Sequence, residues 1–148
     1  MTKKFLALCI LFFFATALYS QKTACKFRVR TVTAGITLKS LTDTTTLNAA
    51  IGFLKKARQA YVDKGYEVQT IRISTQNLYK YLNQYSYEEA LPFLMRIDKI
   101  AQQNDISLSI GQILAPDKYE AGIGEWANKL VETTSNIFFS LPICVTAM

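Results

Sequence analysis

LNAAIGFLKKARQAYVDKGYEVQTIRIS, residues Leu47–Ser74, holds two different hydrophobic periods separated by a single glycine. Before Gly65, the residues Leu47, Ile51, Leu54, Ala57 and Tyr61 recur at the three-and-four spacing of one buried helix face. Lys55, Lys56 and Arg58 take the other side, which reads as solvated. Gly65 stands where a left-handed C-cap belongs. After it the period drops to two, and Tyr66–Ser74 predicts a β-strand. A helix of this length feeding straight into a strand is the repeating unit of an α/β fold.

The flanking sequence repeats the unit. Upstream, Phe27–Thr33 reads as a strand, followed by Gly35 and the run Thr42-Asp43-Thr44-Thr45-Thr46, rich in residues that cap helices. Downstream, polar Thr75–Tyr87 has room for a short helical turn. Ser86 with Glu89 three residues on is a capping-box signature. It opens a helix to about Asn104 with Leu91, Leu94, Ile97 and Ala101 facing inward. Pro92 pulls the expected start toward Glu88, because proline suits only a first turn. A third strand follows at Ile106–Ile110. Next comes a helix from about Gly122 to Thr134, striped by Ile123, Trp126, Ala127, Leu130 and Val131. The last strand is Asn136–Leu141, stopped by Pro142. The order β-α-β-α-β-α-β predicts an α/β domain over residues 27–142, built on a four-stranded parallel sheet with right-handed crossovers.

Strands covered on both faces read as continuous apolar runs, and these do not. Arg28 and Arg30 share one face of the first strand. Thr70, Arg72 and Ser74 oppose Ile71 and Ile73. Ser107 and Ser109 oppose Ile106, Leu108 and Ile110, while Asn136, Phe138 and Ser140 oppose Ile137, Phe139 and Leu141. Each strand thus has an apolar face suited to helices and a polar or small one. An open sheet covered by helices on one side produces this pattern, and so does a barrel with a polar lumen. Inside a lumen, Arg28, Arg30 and Arg72 require acids or an anionic ligand.

Ligands of parallel α/β proteins bind beyond the carboxyl ends of the strands. That edge collects Thr33, Gly35, Ser74–Gln76, Gly111, Gln112 and Ser140. With the arginines and Ser109, the candidate ligand-binding set is Arg28, Arg30, Thr33, Gly35, Arg72, Ser74, Ser109 and Ser140, fitted to a small polar or anionic ligand. No catalytic pair stands out, and Asp43 and Asp117 read as turn or cap residues. TAGITLKS matches neither nucleotide-binding glycine loop, so no nucleotide claim is warranted and the sequence identifies no particular cofactor.

Composition narrows the classes further. Half of the 148 residues are apolar and 19% are charged, which is globular. Seventeen basic residues, among them Lys3 and Lys4 of the apparent leader, face 11 acidic ones without forming a basic stripe. Nucleic-acid binding is not indicated. The chain has no histidine, which removes Ser/His and Cys/His catalysis and histidine metal sites. There is no C-x-x-C, and no metal site is expected.

MTKKFLALCILFFFATALYSQ has the charged start, apolar run and small residues of a secretory signal peptide. Phe5–Leu18 falls short of the ~20 residues of a spanning helix, so no stable membrane span is expected. The reading is a signal peptide over 1–20, cut after Ala17 or Ser20, a short linker over 21–26, and a tail over 143–148. It implies a secreted or periplasmic location. In an oxidising compartment Cys25 and Cys144 have the option of pairing; two separate thiols fit the sequence equally well.

RTVTAGI after the first strand, the segment AAIGFLKKARQAYVDKGYEVQTIRIST and the later serine-rich strand resemble the uncharacterised family catalogued as domain of unknown function 711. The likeness covers about residues 27–142, and its most specific part is GYEVQTIRIST joined to the RTVTAG strand. The resemblance implies a pyruvate formate-lyase-like α/β barrel. Such a barrel would turn Arg30, Arg72 and Ser109 toward a central cavity. The glycyl-radical enzymes of that fold use a C-terminal glycine and central cysteines, to which nothing here corresponds. Family members are expected to be longer and cytoplasmic, so the leader is a departure. The expectation is therefore the N-terminal portion of an enzyme-like barrel that binds a small metabolite. A non-catalytic binding module and a truncated product without autonomous function are the alternatives. The open sheet edge would allow oligomerisation.

Overall fold

A computed structural model describes residues 27–142. The leader, the linker, the tail and the Cys25/Cys144 pair lie outside the described residues. β1 is Arg28–Gly35, α1 Thr44–Asp63 and β2 Glu67–Ser74. A 3₁₀ turn at Leu78–Lys80 precedes α2, Tyr87–Gln103; β3 is Ser107–Gln112, α3 Ile123–Thr133 and β4 Ile137–Ser140. All strand pairs are parallel, in the order β1-β2-β3-β4. With crossovers of one hand, sequential order puts every helix on the same side of the sheet. Over the carboxyl half of the strands one sheet face is packed and the other is open.

Local chemistry explains the elements. Asp43 is the N-cap of α1, accepting from the Thr46 N–H at 3.0 Å, the Thr46 hydroxyl at 2.7 Å and the Lys39 N–H at 3.1 Å. These bonds hold its carboxyl below the ordinary range, the one from the Thr46 N–H most strongly. Its cap starts the helix at Thr44, one turn before the apolar stripe begins. The Ser86/Glu89 capping box forms as expected. α2 nevertheless starts at Tyr87 and runs through Pro92, which lies on the exposed side, where water can take the freed backbone carbonyl.

The core is a single cluster between sheet and helices. Leu47 and Leu54 of α1, Leu94 and Ile97 of α2, and Leu130 of α3 meet Ile71, Ile73, Leu108 and Ile110 of the strands. Tyr61, expected to close the inner stripe of α1, is exposed; it stacks edge-on against Tyr66 beyond the sheet's amino end.

One anchor went unread in the sequence. Asp98 is only 2% exposed, inside α2. Its carboxylate accepts from the backbone N–H groups of Ser135 (3.1 Å) and Asn136 (2.8 Å) and from the Gln102 side-chain amide. Asn136 in turn donates to the Ile106 carbonyl, and its own carbonyl accepts from the Leu108 N–H. A buried carboxylate thereby fixes the start of β4 against β3.

Candidate functional site

The register sorts the expected site residues into two groups. Arg28 pairs with Glu67 across β1 and β2, and Gly35 pairs with Ser74 seven residues later. At about 3.3 Å per residue the two ends of β1 lie some 23 Å apart. Arg28 and Arg30 therefore stand at the amino end, away from the carboxyl edge. Arg28 is bound there: its Nε lies 2.8 Å from the Glu67 carboxylate, both side chains half or more exposed.

Parity separates the arginines as well. Arg72 is paired with Thr33, which follows Arg30 by three residues. An odd step on a regular strand reverses the face. Both positions are nonetheless exposed, because burial changes phase at Thr31–Val32 and, at the matching register, at Thr70–Ile71. The expectation that Arg28, Arg30 and Arg72 line one face did not allow for this change. Val29 and Val68 join the core at the amino end, and Val32, Ala34, Ile71 and Ile73 take over toward the carboxyl end.

Six of the eight expected residues do converge. Thr33, Arg72 and Ser107 form one row across three strands, and Gly35, Ser74 and Ser109 form the next, continued by Phe138 of β4. Ser140 lies two residues further along β4, opposite Gln112. Arg72 is exposed, flanked by Thr33 and Ser107. Among the described residues no carboxylate pairs with it. A guanidinium bordered by hydroxyls has donors for an anion and acceptors for a polar group beside it.

The backbone around this edge is tied down. The Ile36 N–H donates to the Ser74 carbonyl and the Thr75 N–H to that of Ser109, both at 2.9 Å. Gln76 clamps the β1–α1 loop with its carboxamide, accepting from the Leu38 N–H and donating to the Leu38 carbonyl, each at 3.0 Å. Tyr81, buried beneath, donates to the same carbonyl; burial pushes its hydroxyl pKa up to about 12. These contacts tie the β1–α1 loop to the segment that follows β2.

Two clefts lie elsewhere. One, of about 320 Å³, runs between the start of α2 and α3, lined by Tyr87, Glu88, Leu91, Glu120, Trp126 and Lys129 among others. The other, of about 450 Å³, opens beside it toward Tyr79, Tyr85 and Tyr119. Neither touches any of the eight candidate residues. Tyr87 is anchored between them: its hydroxyl donates to the Ile113 carbonyl at 3.0 Å and its carbonyl accepts from the Trp126 indole at 2.8 Å. Burial and the Glu120 carboxylate raise its pKa. Glu88 and Glu125 occupy first turns, where the helix dipole favours a negative charge. Among the described residues, no group of three or more Cys, Asp or Glu side chains is placed to hold a metal ion, and no helix is long and apolar enough to cross a membrane.

The family model described as Uncharacterised ACR (DUF711) matches residues 22–147. No curated protein and no solved structure matches.

Proposed function

The chain belongs to the DUF711 family, and from the face its register builds we propose that it binds a small anionic or polar metabolite on the open side of the sheet. The observation that carries this reading is Arg72, exposed and without a carboxylate among the described residues, framed by Thr33 and Ser107 and followed by Ser74 and Ser109. A surface arginine needs no ligand by itself. An arginine inside two registered rows of hydroxyls presents a fork and neutral donors at fixed spacing, the arrangement that recognises a carboxylate or phosphate with hydroxyl substituents.

The same face is proposed as part of the lumen of an enzyme-like α/β barrel. Strands in sequential order with all helices outside are how such barrels wind. The two sheet edges differ in a way that supports growth from β4. β1 carries Arg28 and Arg30, charges that discourage edge pairing, whereas β4 reads Ile137-Phe138-Phe139-Ser140, with Phe138 53% exposed. Strands from a longer protein or a second copy would add there. A purely binding role is the second reading, favoured by the absence of histidine from the sequence and by a face made of hydrogen-bond donors. We further place the protein outside the cytoplasm on the strength of the leader; the family match begins just after it, at residue 22.

Calorimetry and thermal shifts of the full chain with inorganic phosphate and with citrate, at constant ionic strength, test the reading. Saturable binding is expected, with about 2.7 kcal/mol of stabilisation when the anion stands at a hundred times its Kd. Arg72→Ala should abolish it, and Arg72→Lys should keep only part, lacking the planar fork. Equal binding by wild type and Arg72→Ala would overturn the assignment.

A further inference from the structure

β3 carries one residue more than its neighbour where it leaves the sheet. Ser109 pairs with Phe138, but the next pair is Gln112 with Ser140, so three steps on β3 match two on β4. The extra residue falls at Gly111, whose φ is +63°. A side chain there would be strained, and it would also have no room: a Cβ on Gly111 would lie 2.3 Å from the Asn77 Oδ1. That same oxygen accepts from the Gln112 N–H at 3.0 Å. Glycine, asparagine and the amide after the glycine form one built unit, a bulge held from behind by the β2–α2 loop.

The bulge exchanges the faces of the two residues after it. On an unbroken strand Gln112 would share the packed face with Leu108 and Ile110, and Ile113 would face outward. Instead Ile113 is fully buried, and Gln112 is aligned with Ser140, on the side of Phe138 and Ser109. The Gln112 carboxamide has no hydrogen-bond partner among the described residues.

Resting on the reading above, we infer that the bulge exists to present Gln112 to the ligand, as the group that reads its uncharged end. The Arg72 and Gln112 rows are four strand steps apart measured along β4 and its neighbours, about 13 Å between backbones. Side chains leaning in from both ends shorten that gap. The ligand this fits is elongated, with a carboxylate or phosphate at Arg72 and a hydroxyl, amide or carbonyl at Gln112 and Ser140. A carboxamide both donates and accepts, so it suits a neutral polar group.

The test compares 6-hydroxyhexanoate with hexanoate, two acids that differ only in the terminal hydroxyl, by titration of the full-length protein. Wild type should prefer the hydroxy acid by about fivefold, the worth of one neutral hydrogen bond. Gln112→Met should remove the preference, with hexanoate bound at least as tightly as by wild type because its apolar end then meets an apolar side chain. Asn77→Ala, which withdraws the acceptor behind the bulge, should weaken the preference without touching Arg72. Arg72→Ala should lower the affinity for both acids. A preference that survives Gln112→Met, or is absent from wild type, while Arg72→Ala still abolishes binding, overturns the role of Gln112 and leaves the anion site standing. If neither acid binds wild type, or Arg72→Ala changes nothing, the anion site itself fails and Gln112 with it.

Discussion

Asp98→Ala should destabilise this domain by about 2–4 kcal/mol. The side chain accepts two backbone hydrogen bonds from Ser135 and Asn136, and a third from Gln102, while being 2% exposed. Hydrogen bonds to a charged group contribute about 1.5–3 kcal/mol each, so the two backbone bonds set an upper limit near 6 kcal/mol. Two effects reduce it. Ser135 is exposed, so water can reach its freed N–H, and the variant no longer has to desolvate a carboxylate, which costs several kcal/mol in itself. Urea unfolding followed by circular dichroism reads the result. With a slope of about 1.5–2 kcal/mol per molar, the midpoint should fall by roughly 1–2.5 M at unchanged slope. Hydrogen exchange should show the damage to be local first. The Leu108 amide, which donates to the Asn136 carbonyl at 2.8 Å, should lose protection ahead of amides in α1. Asp98→Asn keeps one acceptor oxygen and should lose less than Asp98→Ala. A midpoint within 0.3 M of wild type for Asp98→Ala, on the scale of those slopes, would refute the claim that this carboxylate holds β4.

Gly111→Ala should cost at least about 1–3 kcal/mol, from a strained left-handed backbone and the collision with Asn77; thermal unfolding checks it, and a neutral result would mean the bulge relaxes freely. Ser86→Ala should cost about 1 kcal/mol by breaking the capping box of α2, measured by the same melts. Asp43 and Glu89 both have folded-state pKa values held below their ordinary 3.8 and 4.5. Their contribution is therefore present above those values and disappears as pH falls through the lower folded ones, so an acid titration of stability should decline below about pH 4.5. Tyr81 works at the other end: its hydroxyl is raised from 10.0 to about 12. Stability should hold below pH 10 and fall as pH rises toward 12, and Tyr81→Phe should flatten that decline in an alkaline titration.

The alternation of apolar and polar residues made much of this legible. Ser107/Ser109 against Leu108/Ile110, and Arg72/Ser74 against Ile71/Ile73, announce a sheet packed on one side only, and burial follows that pattern in β3 and the carboxyl half of β2. The capping residues Ser86 and Glu89 located α2 to within a residue. Register was not legible. Whether Arg30 and Arg72 share a face depends on which residues pair, and period-two reasoning on separate strands carries no information about that. Nor does it show that burial changes phase at Thr31–Val32 and Thr70–Ile71. Asp98 was hidden for a different reason. It stands beside Ile97, between Leu94 and Ala101 on the inward stripe of α2, and the partners that make a buried carboxylate tolerable lie 37 and 38 residues away. Gly111 stood just past the strand expected at Ile106–Ile110, but β3 runs to Gln112, and glycine inside a strand marks a bulge or a close backbone approach. Here it marks both.

The two ends of the sheet answer to different physics, and on the reading proposed above only Arg72 of the three strand arginines bears on binding. At the amino end, Arg28 already has its carboxylate, and exposed pairs of this kind contribute about 0–1 kcal/mol. On that proposed reading Arg28 and Arg30 discourage pairing at the β1 edge, so replacing either with glutamine should leave ligand binding unaltered and increase the tendency to associate. At the carboxyl end Arg72 has no such partner among the described residues, and further along that edge a left-handed glycine and two side-chain clamps shape the backbone. The Gly111 bulge buries Ile113 and turns Gln112 outward, and the Gln76 and Asn77 amide contacts fix the loops around it. Association measured by sedimentation for Arg30→Gln, beside anion titrations of Arg72→Ala, separates the two roles. Loss of binding in the first variant and not in the second would place the site at the wrong end of the strands.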